Sequence, residues 1–355
     1  MTRLPAALLC FAIAGWLTAG ECAQGKQPQP YSKRPEVRAY IRELVQRHGF
    51  VEKELVLLFS RVRRVDPVLQ AIAAPAEKSR PWTDYREMLV NDRRIAGGVE
   101  FWKMHRKALE RAEREFGVPA EYVVAIIGVE TLYGRNAGRW RVIDALSTLA
   151  FDYPPRADFF RDELTHYLLL ARDEGINVFS TLGSYAGAFG IPQFMPGSAR
   201  RYAVDFDGNG SIDLHRSPVD AIGSVANFLR RHGWQPGSEV LLEARVTGEG
   251  WRAFLGGLEP RYSVAELARA GVEMPGASEA LASERAALIE LESPGKPSEY
   301  RVGLQNFYVL TRYNRSAFYA TAAVELARGI KRNLEAAQGD AGAAKGGGAT
   351  QEAGK

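Results

Sequence analysis

Apolar residues recur at helical spacing over most of this chain, and at strand spacing only in a stretch near its C-terminal third. Val37–Gln46 and Val51–Val62 carry the i, i+3, i+4 pattern of two short amphipathic helices, with His48-Gly49 marking the break between them. Arg94–Phe116 reads as one longer helix whose charged face (Arg106, Lys107, Glu110, Arg111, Glu113, Arg114) is expected to be solvated. Trp82, Tyr85 and Trp102 are expected in the core, although such rings also suit stacking on sugars. Helices follow over Ile143–Leu149 and Asp158–Asp173, then a glycine-rich loop. Beyond His232-Gly233-Trp234 the character changes. Glu239–Val246 and Ser298–Val302 read as short strands, with Ser263–Ala270 and Ser278–Ile289 helical among turns, a small mixed α/β region. Helix returns at Leu304–Tyr313 and Ala317–Glu335, and residues 337–355, rich in Gly, Ala and Lys, are expected to be disordered.

The most apolar helix is the one around Tyr122–Arg135. Pro119 suits its first turn and Gly134 its end, and Val123, Val124, Ile126, Ile127, Val129 and Leu132 leave it apolar nearly all round. Such a helix is buried. Glu130 stands near its C-terminal end, one turn on from Ile126 and Ile127. Desolvation and the negative end of the helix dipole both disfavour its charged form, which suits a general acid. An ordinary surface glutamate, or one paired with Arg135 or Arg139, is the competing reading, and these residues alone leave both open.

Composition narrows the setting. Arg3, the apolar run Ala6–Leu17 and the small residues Thr18, Ala19 and Gly20 form a secretory leader, too short to span a membrane comfortably. A lipid-modified Cys22 is disfavoured because Glu21 stands where a small residue is expected, so soluble export is favoured. No later run reaches the roughly 18–20 apolar residues of a transmembrane helix. Cysteine occurs only at Cys10 and Cys22, so the mature fold is expected to hold no disulfide framework. A net charge of +4 without a concentrated Lys/Arg tract does not point to nucleic acid. There is no H-E-x-x-H, no G-x-S-x-G (Ser184 lies in Gly-Ser-Tyr-Ala-Gly), no Walker loop and no Rossmann glycine pattern. A serine or metal hydrolase is therefore not expected.

Two loops carry candidate chemistry. In Ser184–Ser198, Gly187 and Gly190 permit tight turns, Tyr185, Phe189 and Phe194 offer flat apolar faces, and Ser184 and Gln193 offer hydrogen bonds. That mixture suits a saccharide, and equally a structural turn with packed aromatics. The stretch Asp205-Phe-Asp207-Gly-Asn209-Gly210-Ser211-Ile212-Asp213 closely matches the calcium-loop pattern, with oxygen donors at alternate positions and Gly210 at the sharp turn. Ile212 would pack inward. Arg216 stands where the bidentate glutamate belongs, and Asp220 is the residue placed to close the site. Such a metal would be structural.

Taken together, these segments resemble the membrane-bound lytic murein transglycosylase B family of bacteria. The resemblance rests on Ala125–Arg135 around Glu130, on Tyr185–Pro196, on Val204–Asp213, on Asp220–Asn227 and on Asn306–Ser316, in that order, and covers about residues 36–333. It implies a mainly α protein: a lysozyme-like helical core with an EF-hand-like calcium loop, a flanking helical domain and a small mixed α/β subdomain. The layout it implies is a signal peptide (1–23), a linker (24–35), an N-terminal helical region (36–115), the catalytic core with its calcium loop (116–235), the mixed subdomain (236–303), C-terminal helices (304–336) and a disordered tail (337–355). By the same resemblance Glu130 is the catalytic acid/base, and Ser184, Gln193, Phe194, Tyr313 and Asn314 contact the glycan. Asp205, Asp207, Asn209, Ser211 and Asp220 would hold a structural Ca²⁺, with no organic cofactor. The chain departs from the family at Arg216-Ser217, which lengthens the metal loop by one residue.

Glycosidic cleavage normally needs two carboxyl groups, and near the sugar-binding stretches Glu130 is the strong candidate. One carboxyl suffices if N-acetylmuramic acid supplies the rest. Its acetamido group assists departure and its 6-hydroxyl attacks the anomeric carbon, giving a 1,6-anhydro product from the MurNAc-GlcNAc β-1,4 bond. The alternatives are a water-using muramidase, needing a second acid such as Asp152 or Asp205, and a non-catalytic murein-binding protein. Expected partners are peptidoglycan glycan strands, with murein-synthesising enzymes or amidases left open, for an exported, periplasmic, monomeric protein.

Overall fold

The computed structural model describes residues 29–73 and 80–346, so the expected leader at 1–23 lies outside the described residues. The fold is mainly helical, as the periodicity requires. Helix α1 (Pro35–His48) ends on Gly49 in the left-handed conformation, and α2 (Glu52–Arg61) and α3 (Asp66–Ala73) follow. The segment before α1 is not the free linker expected up to residue 35. Tyr31 is buried and its hydroxyl donates to Asp152 Oδ2 at 2.5 Å, while Arg34 ion-pairs with Asp152 at 3.0 Å. An aromatic ring able to bury and a cation able to pair hold the chain down where a proline-bearing composition suggested freedom.

Helices α4 (Trp82–Leu89), α5 (Asp92–Met104) and α6 (Arg106–Phe116) come next. The sequence pattern predicts one helix over Arg94–Phe116. The structure instead breaks it at His105, whose ψ of 23° takes it out of helical geometry. The two halves share α7 (Ala120–Thr131) and otherwise serve different partners: α5 packs against α14 (Ala317–Gly346), whereas α6 packs against α11 (Pro218–Arg231). Trp82 and Tyr85 are buried, as expected of core residues.

Helix α7 is the axis of the larger core. Residues Val123–Gly128 are all buried, and α5, α6, α11 and α14 surround it. A short strand β1 (Trp140–Arg141) precedes α8 (Val142–Asp152) and α9 (Ala157–Asp173), and pairs antiparallel with β2 (Leu182–Gly183) to start a wall beside α7. Helix α10 (Pro196–Tyr202) completes this layer. The N-terminal helices rest on α8: the backbone N–H of Arg63 donates to Asp144 Oδ1 at 2.9 Å and that of Val65 to Thr148 Oγ1 at 3.0 Å. These bonds satisfy loop amides that the α2–α3 connection would otherwise leave unpaired.

Strands β3 (Leu241–Val246), β4 (Tyr262–Ser263), β5 (Val272–Glu273), β6 (Arg285–Leu291) and β7 (Glu299–Gly303) form one antiparallel sheet in the order β4-β6-β7-β3-β5, with α12 (Val264–Arg269) beside it. The expected helix over Ser278–Ile289 is thus wrong. Only a single 3₁₀ turn occurs, at Glu279–Leu281, and the apolar run is the interior strand β6. Its alanines favour helix, but its alternate residues serve two cores. Ala287, Ile289 and Leu291 face the helical core, while Ala286 and Leu288 face the smaller core of Trp251, Leu267 and Val302. A strand buried on both faces reads as a continuous apolar run, which periodicity cannot separate from a helix. Helix α13 (Gln305–Tyr313) then leads into α14, which continues to Gly346 where the sequence reading ended at Glu335. Alanine is the strongest helix former, and it dominates that extension. Residues 347–355 of the expected tail lie outside the described residues.

Ile289 sits at the seam of the two cores, 2% exposed. Ile289→Ala is expected to cost about 2–5 kcal/mol, read as a lower urea midpoint in a transition that remains single. Two separated transitions would mean the sheet is not one cooperative unit with the helices.

Candidate active site

Helix α7 ends at Thr131, short of the expected Gly134. Leu132, Tyr133 and Gly134 all take positive φ (50°, 63° and 83°), turning the chain back sharply. Glu130 is therefore in the last turn, half-buried rather than enclosed, and fully buried Ile126 and Ile127 lie behind it. Of the arginines considered as partners, Arg135 reaches Glu100 at 3.7 Å and Arg139 lies over the Trp140 ring. The hydroxyl of Tyr319, from the first turn of α14, donates to Glu130 Oε1 at 2.6 Å. Tyr319 is buried, and burial together with the charge of Glu130 pushes its phenol well above the ordinary range. It keeps its proton at any working pH and is a fixed donor. The ring of Tyr313 lies parallel to that of Tyr319, 6.4 Å away, and its hydroxyl donates to the Pro192 carbonyl at 2.5 Å.

The opposite wall is a tight double turn. Ser184 Oγ accepts from Ala188 N at 3.1 Å, Gly183 bridges to Phe189, and Phe189 bridges to Phe194. Gln193 has φ of +49°, and its amide nitrogen donates to the carbonyls of Ala137 (3.0 Å) and Gly190 (2.9 Å). Gln193 thus spends its donor group on shaping the turn. Phe194 corrects an expectation. It is 2% exposed among Phe189, Phe228 and Tyr313, so it supports the Tyr313 ring from behind and offers no face to a ligand. Buried Glu163 seats the helix that follows, accepting from Gly197 N at 2.7 Å.

One buried hydroxyl joins the two walls. Thr131 Oγ1 donates to the Ile191 carbonyl at 2.9 Å and accepts from Gly134 N at 2.9 Å, while Ile191 N donates to the Leu214 carbonyl at 2.7 Å. Thr131 and Tyr319 were both missed by sequence reasoning. Tyr319 carried a faint signal, a hydroxyl-bearing ring in an alanine-rich helix, but nothing local says which carboxylate it meets.

Leu214 belongs to the candidate metal loop. One carboxylate oxygen from each of Asp205, Asp207 and Asp220 lies within 4.8 Å of the others, a group that could hold a metal ion. Asp220 is fully buried and its two oxygens accept from the amides of Phe206, Asp207 and Asp213 at 2.8–3.1 Å. Asp205 accepts from Gly208, Asn209 and Gly210, chiefly Gly210, which holds its carboxyl below the usual range. Asn209 Oδ1 accepts from Ser211, Asp213 turns away to pair with Arg216, and Ile212 packs on the core as expected. Hard oxygen donors in this spacing fit Ca²⁺ better than a transition metal.

The remaining acids named as second carboxylates are committed elsewhere. Asp152 is bound by Tyr31, Arg34 and Arg64, and Asp205 by its own loop. A cavity of about 670 Å³ opens between Leu170, Leu182, Phe189, Ile212 and His215, with Glu130 outside its lining.

Comparison with known proteins bears on this arrangement. The family model described as Transglycosylase SLT domain matches residues 32–328. The membrane-bound lytic murein transglycosylase B of Escherichia coli (strain K12) is 40% identical over 311 residues, covering 84% of each chain. The solved soluble lytic transglycosylase SltB1 from Pseudomonas aeruginosa superposes with a TM-score of 0.79 at 48% identity, over 84% of this chain and 99% of that one. The Escherichia coli lytic transglycosylase Slt35 in complex with calcium gives 0.78 at 39% identity, over 85% and 94%.

The Asp220 carboxylate organises its loop whatever else binds there. Asp220→Asn, which exchanges one acceptor oxygen for a donor facing backbone N–H groups, should destabilise the protein by about 1–3 kcal/mol even in chelator. An unchanged melting temperature in chelator would mean that the loop keeps its shape without those bonds.

Proposed function

We propose, for a chain that belongs to the lytic murein transglycosylase B family, that Glu130 supplies both the acid and the base of the reaction. The chain is a peptidoglycan lytic transglycosylase with a lysozyme-like helical fold. The observation that carries the residue assignment is the Tyr319–Glu130 hydrogen bond at the open end of α7, beside the Gln193 turn and Tyr313. The engagement of Asp152 and Asp205 elsewhere favours the single-carboxyl route over a water-using muramidase.

In this reading Glu130 donates its proton to the glycosidic oxygen as the MurNAc-GlcNAc bond breaks. The acetamido oxygen of MurNAc attacks the anomeric carbon and carries the positive charge in a cyclic intermediate. The Glu130 carboxylate then takes the proton of the 6-hydroxyl, whose oxygen displaces the acetamido group to close the 1,6-anhydro ring. The proton taken in the second step replaces the one given in the first, so the enzyme is regenerated and no water is consumed. Tyr319 donates to one carboxyl oxygen and so steers the proton to the other. Tyr313 offers ring surface, and Ser184, Gln193 and Asn314 line the glycan path. Asp205, Asp207, Asn209, the Ser211 carbonyl and Asp220 would hold Ca²⁺, whose chemistry is to neutralise and tether a carboxylate cluster. The link from Leu214 through Ile191 to Thr131 carries that order toward Glu130. Among the described residues no helix is long and apolar enough to cross a membrane. Murein as substrate fits export to the periplasm, with glycan strands as the partner.

Glu130→Gln keeps the shape and removes both proton transfers. Turnover should fall by several orders of magnitude, at about 10²–10⁴-fold per step, while murein binding survives. Retention of about a tenth of wild-type activity would sink the assignment. Mass spectrometry of wild-type digests should find anhydro ends. New reducing ends would indicate a muramidase, and no cleavage a binding protein.

Calcium is expected to stabilise without reacting. A hundredfold excess over Kd adds about 2.7 kcal/mol, a rise of several degrees in melting temperature. Asp205→Ala should abolish that shift and leave low-temperature turnover mostly intact. Identical wild-type melting curves in calcium and chelator would refute the site. Activity lost in chelator at low temperature would make the metal catalytic.

A further inference from the structure

The turn that follows Glu130 is held in a conformation that L residues avoid. Leu132 and Tyr133 both have positive φ (50° and 63°), and relaxation to the ordinary helical region would extend α7 past Thr131. Thr131 would then lose its bonds to the Ile191 carbonyl and to Gly134 N. Something must hold the strain in place.

The Tyr133 ring lies in a socket of three glycines from two helices. A Cβ on Gly97 would come 2.9 Å from Tyr133 Cε2. One on Gly98 would come 2.7 Å, and one on Gly128 2.5 Å, from the Tyr133 hydroxyl oxygen. A side chain at Gly128 would collide with the ring, and one at Gly98 with both the ring and Ile330. Glycine is a poor helix residue, yet Gly97 and Gly98 lie within α5 and Gly128 within α7, two residues before Glu130. The hydroxyl donates to the Arg94 carbonyl at 2.6 Å, Arg94 Nε donates to the Gly128 carbonyl at 3.4 Å, and the Phe101 ring lies 5.6 Å away. The Leu132 and Tyr133 amides close the turn on the Gly128 and Ile127 carbonyls.

We propose that Tyr133 is a positioning residue: seated in this glycine socket, it pins the left-handed turn that fixes the Glu130 carboxyl against Tyr319 and the opposite wall. The inference rests on Glu130 being the acid/base, and it assigns Tyr133 no contact with substrate. A ring that served only as core would contribute to stability and leave the chemical step alone.

Steady-state kinetics on soluble murein glycans separate the two. Tyr133→Leu empties the socket and should lower kcat about 100-fold, the scale of a 1 Å misplacement, with KM within about twofold of wild type. Tyr133→Phe keeps the ring seated and should retain kcat within about threefold. Gly97→Ala presses a methyl on the ring from α5 while improving that helix, so it should fold and yet lose kcat about tenfold at constant KM. A folded Tyr133→Leu with wild-type kcat overturns the proposal. If that variant does not fold, wild-type kcat in Gly97→Ala overturns it instead. Failure of the underlying assignment is distinct, because it appears as an active Glu130→Gln whatever the Tyr133 variants do.

Discussion

A carboxyl group at the C-terminal end of a buried helix faces the negative end of the helix dipole and little water, and it keeps one position only if a donor holds it. Here the donor is Tyr319, 189 residues further along the chain from Glu130. Because Tyr319 is carried by α14, that helix has to lie along α7, and the two are in extended contact. The small sheet then helps fix α14, since β6 packs against it and places Ala287, Ile289 and Leu291 in the same core. The sheet is thereby part of what holds Glu130 in place.

The second wall obeys the same logic through backbone rather than side chains. The Gly190–Phe194 turn hangs between two hydrogen bonds of Ile191, one to Leu214 in the candidate metal loop and one from Thr131 beside Glu130. Gly190 is required there, because a Cβ would lie 2.7 Å from the Leu214 carbonyl oxygen. A loop ordered by oxygen donors thus reaches Thr131, the residue after Glu130, in two hydrogen bonds. A metal held by that loop would have a route to influence the site from a distance.

Asp152 shows how context decides what an acid can do. Its chemistry would permit a role in hydrolysis, but Arg34, Arg64 and Tyr31 close around it and make it the anchor of the N-terminal helices. With its lone pairs engaged it has no reason to activate water. That engagement favours the proposed route in which the substrate provides its own nucleophile.

Sequence alone determined what depends on local pattern. The apolar helix bearing Glu130, the spaced oxygen donors of Asp205–Ser211, the glycine turns around Gln193 and the mainly helical class all show within a window of a few residues. Family resemblance extended this to the reaction. What it could not decide were matters settled by distant partners. His105 breaks a helix because its halves meet different neighbours. The run ending in Ile289 and Leu291 becomes a strand because two cores claim its alternate faces. Phe194 turns inward behind Tyr313, and Tyr319 and Thr131 acquire their roles only from groups they meet across the fold. Periodicity reports how much of a segment is buried, whereas the identity of the burying partner is a property of the packed chain.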